Sequence, residues 1–443
     1  MSNKINRRDF LSTSALIGAG ALVAPSLLTS CAGKGNTPIR KAGTYYVPEL
    51  PDKAIDGRPL KVGVIGCGGR ATGATHNLLD AADGITVHAC CDLFTDRTDN
   101  FLKEMAERGQ NVPAENVFHG FDAYKQVIDS GVDMVIIATP PVFRPVHFKY
   151  ATEKGVHSFL EKPIAVDAKG YRTIMATAKQ AESKGLSVVT GTQRHHQRPY
   201  VEAFKLIQEG MIGEITGGNV YWNQGMLWYR ERQAGWSDME WMVRDWVNWK
   251  WLSGDHIVEQ HVHNIDVFLW MSGLKPVKAT GIGGRNRRKT GDQYDQFSID
   301  FEFENGIHLH SMCRQIDGCS TNVSEFVQGT KGSWNSEDHV IRDLQGNILW
   351  EYKEDPAFAQ NDPYVLEHVD WVNHIRKGEA HVEAGETGIS SLAGVMGREA
   401  AYSGKTVTWD EISSSDLDYM PEKLELGKMD MSKYTVVVPG ENS

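Results

Sequence analysis

Four side chains able to hold or move a proton recur at helical spacing in one short stretch. They are His256, Glu259, His263 and Asp266, separated by 3, 4 and 3 residues. A helix over residues 255–269 would set them on one face, because residues three and four apart are neighbours on a helix surface. An imidazole titrating near neutrality suits removal of a hydroxyl proton, so His263 is the candidate base. Glu259, one turn earlier, can orient that imidazole or grip a neighbouring hydroxyl. Lys162, in Glu161-Lys162-Pro163, is the candidate donor to a developing alkoxide and a partner in the proton relay. A base and a polar grip on oxygen are what hydride transfer from a secondary alcohol requires. A metal centre is the competing reading, with Glu259, His261 and His263 in five residues and His195 and His196 elsewhere. On a helix His261 points about 200° away from Glu259, so no metal is expected there.

These groups need a scaffold and a hydride acceptor. Lys61-Val62-Gly63-Val64-Ile65 reads as a buried strand running into Gly66-Cys67-Gly68-Gly69-Arg70-Ala71, a G-x-G-x-x-A loop, and then into a helical pattern. Gly66 permits the tight turn, Gly68 and Gly69 let backbone approach a pyrophosphate, and Ala71 keeps helix and strand close. Arg70 completes the loop, and the helix N-terminus faces the anion. A second strand over 85–91 ends at Asp92, 24 residues past Gly68, where a carboxylate suits the adenosine ribose hydroxyls. That charge repels a 2′-phosphate and favours NAD over NADP, although Arg97 is near. A strand over 133–138 ends in Thr139-Pro140-Pro141, with Arg144 beyond, at the edge where doubly wound sheets bind ligands. Strands over 156–160 and 186–190 carry Glu161-Lys162-Pro163 and the turn with Gln193, Arg194 and His195. Thr139, Pro140, Arg144, Glu161, Lys162 and Gln193 are therefore expected at the cofactor, and Arg194 and His195 at the substrate.

The second half changes character. Phe297, Ile299, Phe301 and Phe303 alternate as in a half-buried strand, turned by Asn305-Gly306 into a hairpin partner over 307–313. Further strands are expected over 215–222, 277–282 and 325–328, and helices over 363–376 and 389–402. Seven tryptophans crowd between Trp222 and Trp251. Most belong to packing, but a flat aromatic face suits the apolar side of a sugar ring, with Trp222 and Trp249 as candidates.

Gly66–Ala71, Asp92, Ala138-Thr139-Pro140, Glu161-Lys162-Pro163, residues 254–266 and the segment 396–405 are similar to the corresponding motifs of the Gfo/Idh/MocA family, over roughly residues 60–405. Members often carry Gly-x-Asn-Arg-Arg-Phe where this chain has Gly191-Thr192-Gln193-Arg194-His195-His196. They often carry Asp-x-Gly-x-His where it has Glu259-Gln260-His261-Val262-His263, and a histidine where it has Arg144. The resemblance implies an α/β chain: a Rossmann doubly wound parallel sheet over 60–190, then a substrate and oligomerisation domain over 191–420 on a large open, mostly antiparallel sheet. It also implies NAD(P), pyranose-like polyol substrates, and a homo-oligomer formed through the second sheet. The expected activity is oxidation or reduction of a secondary hydroxyl of a sugar or glycoside, C3 being one candidate position. Two alternatives stand beside it. One is an NAD-dependent glycosidase with a transient redox step, like the family's α-N-acetylgalactosaminidases, against which Lys162 speaks. The other is a non-catalytic sugar-binding lipoprotein.

Arg7-Arg8-Asp9-Phe10-Leu11 before a mildly apolar run resembles a twin-arginine export signal, and Leu28-Thr29-Ser30-Cys31 resembles a lipobox with Cys31 as the acylated residue. Residues 1–31 are thus expected to address the protein to the cell envelope as a lipid-anchored, periplasmic species. Residues 32–59 are expected to form a tether and arm, and 421–443 a tail. No nicotinamide pool is replenished outside the cytoplasm, so an exported dehydrogenase is expected to hold its dinucleotide through turnover. The 443 residues carry a net charge of −11, which argues against a nucleic-acid partner. Among the six cysteines, Cys313 and Cys319 are close enough in sequence to pair.

Overall fold

The computed structural model describes residues 39–41 and 43–440. Cys31 and the export signal lie outside the described residues. Strand β1 (Leu60–Ile65) is apolar along almost its whole length and lies at the centre of a seven-stranded sheet. The other strands are β2 (Ile85–Asp92), β3 (Val117–His119), β4 (Met134–Ile137), β5 (His157–Leu160), β6 (Ser187–Thr190) and β15 (His381–Val382), in the order β15-β6-β5-β4-β1-β2-β3. Every pairing is parallel. Strand order reverses between β1 and β4, and a parallel sheet opens its ligand crevice at such a switch point. The loops carrying Gly66 and Thr139 leave the sheet there.

One strand of this sheet comes from far along the chain. β15 follows the helix Pro363–Lys377, whose Trp371, Val372 and Ile375 pack into the same core as β1 and the helix Gly69–Ala81. The dinucleotide half therefore closes only with chain from beyond residue 360.

The second sheet has nine strands among the described residues. Its centre is β7 (Ile215–Gln224), β10 (His308–Gln315), β9 (Gln296–Phe303) and β8 (Pro276–Gly284), with β11 (Asn322–Gly329) on the other side of β7. β7 and β10 are parallel, and the remaining pairs are antiparallel. β9 and β10 bury alternate residues and form the expected hairpin, turned at Gly306 with φ +76°. Phe297, Ile299, Phe301 and Phe303 face the helices Val262–Ser272 and Ala384–Ser403. Gly397 lets the latter helix approach, since a Cβ there would lie 2.9 Å from Phe301. The opposite face carries polar side chains and the exposed Ile282. No described helix is long and apolar enough to cross a membrane. Cys313 is sealed in the core while Cys319 is exposed, and both are free thiols.

Candidate active site

The glycine loop shows two different uses of glycine. Gly66 has φ +89°, and a Cβ there would sit 3.0 Å from the Thr139 backbone nitrogen, so the residue is needed for the fold. At Gly68 and Gly69 a Cβ would meet nothing within 4 Å. That open cradle lies at the N-terminus of the helix Gly69–Ala81, whose first turn has no side-chain cap and no acidic residue. Free N–H groups facing an open space form an anion seat. The loop borders a cavity of about 380 Å³ that extends past Asp92, Thr139 and Pro140 to Trp228, Arg230 and Trp246 of the second half. Residues beside β1, β2 and β4 thus form one wall of a dinucleotide-sized site, and chain after β7 covers it.

Asp92 stands at the end of β2 as expected. Its carboxylate accepts from Cys67 N at 2.8 Å and Phe94 N at 3.0 Å, so it also ties the glycine loop to its own strand end. Burial raises its pKa, while the two backbone donors pull the other way. Ala71 is buried in the core. Arg70 borders the cavity, but its guanidinium reaches Glu161 at 2.5 Å and Glu367 at 3.2 Å. Glu161 is buried beneath Gly191 and acts through Arg70. Gln193 opens the turn after β6, with its buried side-chain oxygen unpartnered by protein.

Arg144 differs from expectation. Its buried guanidinium donates to the carbonyls of Thr139, Glu161 and Pro163 at 2.7–2.8 Å. It braces two adjacent strand ends and has no face for a cofactor. Burial lowers its pKa to about 10.

Lys162 and Glu259 come together across the two halves. Lys162 Nζ donates to the Glu259 carbonyl at 2.6 Å and lies 3.2 Å from Glu259 Oε1, with the side chains only 10% and 8% exposed. Gln260 donates to the other carboxylate oxygen. His263 stacks on Trp222, ring centroids 5.5 Å apart, and Arg194 lies over that same indole. Burial, then the charges of Lys162, Arg194 and Arg70, push the His263 pKa well below its usual value. The imidazole is neutral at working pH, the form a base needs.

The expected single helix is broken. It runs as His256–Glu259 and Val262–Ser272, with Gln260 and His261 between, so the four groups do not share one face. His256 pairs with Asp255, Glu259 with Lys162, and Asp266 with His195 and Ser390. His261 turns away to Ser311 on β10. The first piece is anchored at its start by Asp255, a non-glycine residue at φ +75° whose carboxylate binds the backbone N–H groups of His256 and Tyr294 and the Tyr402 hydroxyl. A buried Asp just before the helical stretch was the one available signal for this anchor.

Two substrate candidates move elsewhere. His195 lies 2.7 Å from Asp266, stacks on Trp270, and opens on a separate cavity of about 190 Å³ beside Tyr46. Burial alone would lower its pKa, but Asp266 and the charges of Glu383 and Glu386 together outweigh burial and hold it at about 9. Trp249 is buried against Trp241 and Tyr434, where residues 419–434 pack onto the second half, and has no open face. Trp222 and Arg194, the latter paired with Glu325, remain beside His263. Trp228 and Trp246 stood in the tryptophan-rich stretch, but nothing in their spacing pointed to the cofactor cavity.

Two family models match in tandem. The first, described as "Oxidoreductase family, NAD-binding Rossmann fold", covers residues 60–190, and the GFO/IDH/MocA C-terminal domain covers 200–335. A "Glycosyl hydrolase family 109 protein" of Shewanella pealeana is 26% identical over 227 residues, 51% of this chain and 47% of that protein. The "2,7-anhydro-N-acetylneuraminate hydratase" of Escherichia coli is 27% identical over 234 residues, 51% of this chain and 58% of the relative. The chain thus spans about half the length of the curated relatives it matches. Scyllo-inositol dehydrogenase of Lactobacillus casei, solved with NAD(H) and scyllo-inositol, superimposes with TM-score 0.61 at 20% identity, over 79% of this chain and 99% of that one. Aldose-aldose oxidoreductase of Caulobacter crescentus gives TM-score 0.62 at 16% identity, over 79% and 100%. The likeness to these structures is one of fold.

Proposed function

Because the chain belongs to the Gfo/Idh/MocA family, with both of its domains in order, we propose that it is an oxidoreductase that uses NAD to oxidise or reduce a secondary hydroxyl of a sugar or glycoside. One observation carries the reading. Lys162, at a carboxyl end of the nucleotide-binding sheet, is bonded to Glu259 of the second half and neighbours a neutral His263. A nicotinamide dinucleotide, when bound, supplies the hydride acceptor or donor. Gly66 shapes the turn, Gly68 and Gly69 make room for its pyrophosphate, and the Asp92 carboxylate favours a free ribose over a 2′-phosphate. His263 takes the hydroxyl proton, while Lys162 donates to the oxygen as negative charge develops on it. Glu259 fixes the ammonium. Trp222 offers a half-buried aromatic face beside the base.

The cover of Trp228, Arg230 and Trp246 supports a cofactor held from one turnover to the next. Such retention fits export through the twin-arginine signal and anchoring at Cys31. The exposed Ile282 and the polar outer face of the second sheet are proposed as the subunit contact. The relatives in glycosyl hydrolase family 109 favour a second reading, transient oxidation followed by glycosidic cleavage with no net redox change. Both readings are tested by incubating the isolated protein with a panel of glycosides and following 340 nm absorbance and product masses. A keto-sugar two mass units lighter, without released aglycone, supports the oxidoreductase, with C3 the first position to map. Released aglycone and an unoxidised sugar would establish the hydrolase instead.

A further inference from the structure

Away from Lys162 and His263, separate pieces of chain bring imidazoles and carboxylates together beside the smaller cavity. His196 ends the turn Gln193–His196, and Asp370 and His374 lie one turn apart on the helix Pro363–Lys377. His381 is on the edge strand β15, and Glu383 caps the helix Ala384–Ser403. The ligating atoms of His196, Asp370 and Glu383 all lie within 4.8 Å of one another, as do those of Asp370, His374 and His381. His196 Nε2 is 3.1 Å from Asp370 Oδ2 and 3.7 Å from Glu383 Oε1. His381 Nε2 is 3.3 Å from that same Glu383 oxygen.

We infer that this cluster binds one divalent transition-metal ion of the zinc class, through His196 Nε2, Asp370 Oδ2 and Glu383 Oε1, with His381 left outside as a partner of Glu383. The expectation of no metal weighed Glu259, His261 and His263, with His196 only as a further available ligand, and did not include Asp370 or Glu383. Three observations carry the inference. Zinc bonds to imidazole and carboxylate of roughly 2.0–2.1 Å place tetrahedral donors about 3.3 Å apart, and the two separations from His196 Nε2, 3.1 and 3.7 Å, straddle that value. Second, one Nε2 proton of His196 cannot serve two buried carboxylates, and its Nδ1 has no partner. A dication with two carboxylates is neutral overall, which removes the cost of burying unpaired charge. Third, each carboxylate already has its other oxygen held. Glu383 Oε2 accepts from Thr190 N at 2.7 Å and Thr190 Oγ1 at 3.2 Å, and Asp370 Oδ1 accepts from the Tyr46 hydroxyl at 2.7 Å. Such outer support orients metal ligands. Tyr46 also lies 2.9 Å from His374 Nε2, which leaves His374 in that outer layer. The ion cross-links the edge of the first sheet to the turn that carries Arg194 and takes no part in hydride transfer.

The test uses the full chain, loaded with Zn²⁺, desalted, and assayed by inductively coupled plasma mass spectrometry. About one ion per chain is expected, with a melting temperature raised by Zn²⁺ and lowered by a chelator. Co²⁺ in its place should give the visible absorption of a four-coordinate nitrogen and oxygen site. H196Q, with its fold checked by circular dichroism, should bind Zn²⁺ at least about tenfold more weakly in competition with a chromophoric chelator. H308A, whose exposed imidazole pairs with Asp300 outside the cluster, should bind as the wild type does. Substoichiometric metal in the loaded wild type overturns the inference, as does unchanged affinity in H196Q. The first result would show that the groups hold one another through hydrogen bonds alone.

Discussion

Replacing Lys162 by Met tests the proposed chemistry and has two separable costs. The ammonium is nine-tenths buried and bonds the Glu259 carbonyl and carboxylate. Removing one preorganised donor to a developing oxyanion costs about 2.7–4 kcal/mol, or 10²–10³ in kcat. Removing one partner of a buried ion pair costs about 3–5 kcal/mol of stability. The lower end applies here, because Gln260 still donates to Glu259. In a chain of this size that is a fall in melting temperature on the order of 5 °C. Neutralising the stranded carboxylate in K162M/E259Q should recover most of the melting temperature and none of the rate. The assay is single-turnover absorbance at 340 nm with cofactor loaded, beside thermal melts of both variants. Turnover of K162M within tenfold of wild type would refute the reasoning, and so would a rate that returns with stability in the double variant.

The same geometry sets the outcome of other perturbations. H263N should lower kcat by about 10²–10⁴. Because burial and Lys162 hold His263 neutral, the acid limb of the wild-type kcat/KM profile should fall below pH 6.5, and stability should drop as pH descends through that range. Gly68→Val should melt like the wild type and carry no dinucleotide after purification, since a Cβ there meets only open space. Gly66→Ala should lose about 1–3 kcal/mol from its positive φ, read in denaturant titrations. Asp92→Ala should weaken NAD binding by about 1.5–3 kcal/mol and narrow the preference over NADP, as isothermal titration of both cofactors would report.

The strands that hold the cofactor were legible because a parallel strand buried on both faces is a continuous apolar run, and the glycine loop must follow it. That Lys162 and the 259–263 stretch belong to one site was expected from residue types, but the direct bond of Lys162 to Glu259 was not, since Glu259 was expected to orient His263 or grip a hydroxyl. The broken helix was not legible, because at the break Lys162 takes the Glu259 carbonyl and Ser311 the His261 imidazole, and both partners are distant in sequence. Arg144 and His195 were misread for a related reason. A long cation beside a ligand edge can turn inward to backbone carbonyls, and an imidazole can turn to a carboxylate on the next helix. Only packing decides which. β15, two residues long, has no periodicity to detect.

That short strand and the helix preceding it make the halves inseparable. A fragment ending near residue 190 would leave β6 as a bare edge and lack Trp371, Val372 and Ile375 from its interior, so it should not fold as an autonomous nucleotide-binding module. The chain therefore crosses between the two sheets more than once, and any motion of one half against the other must bend all of those crossings together.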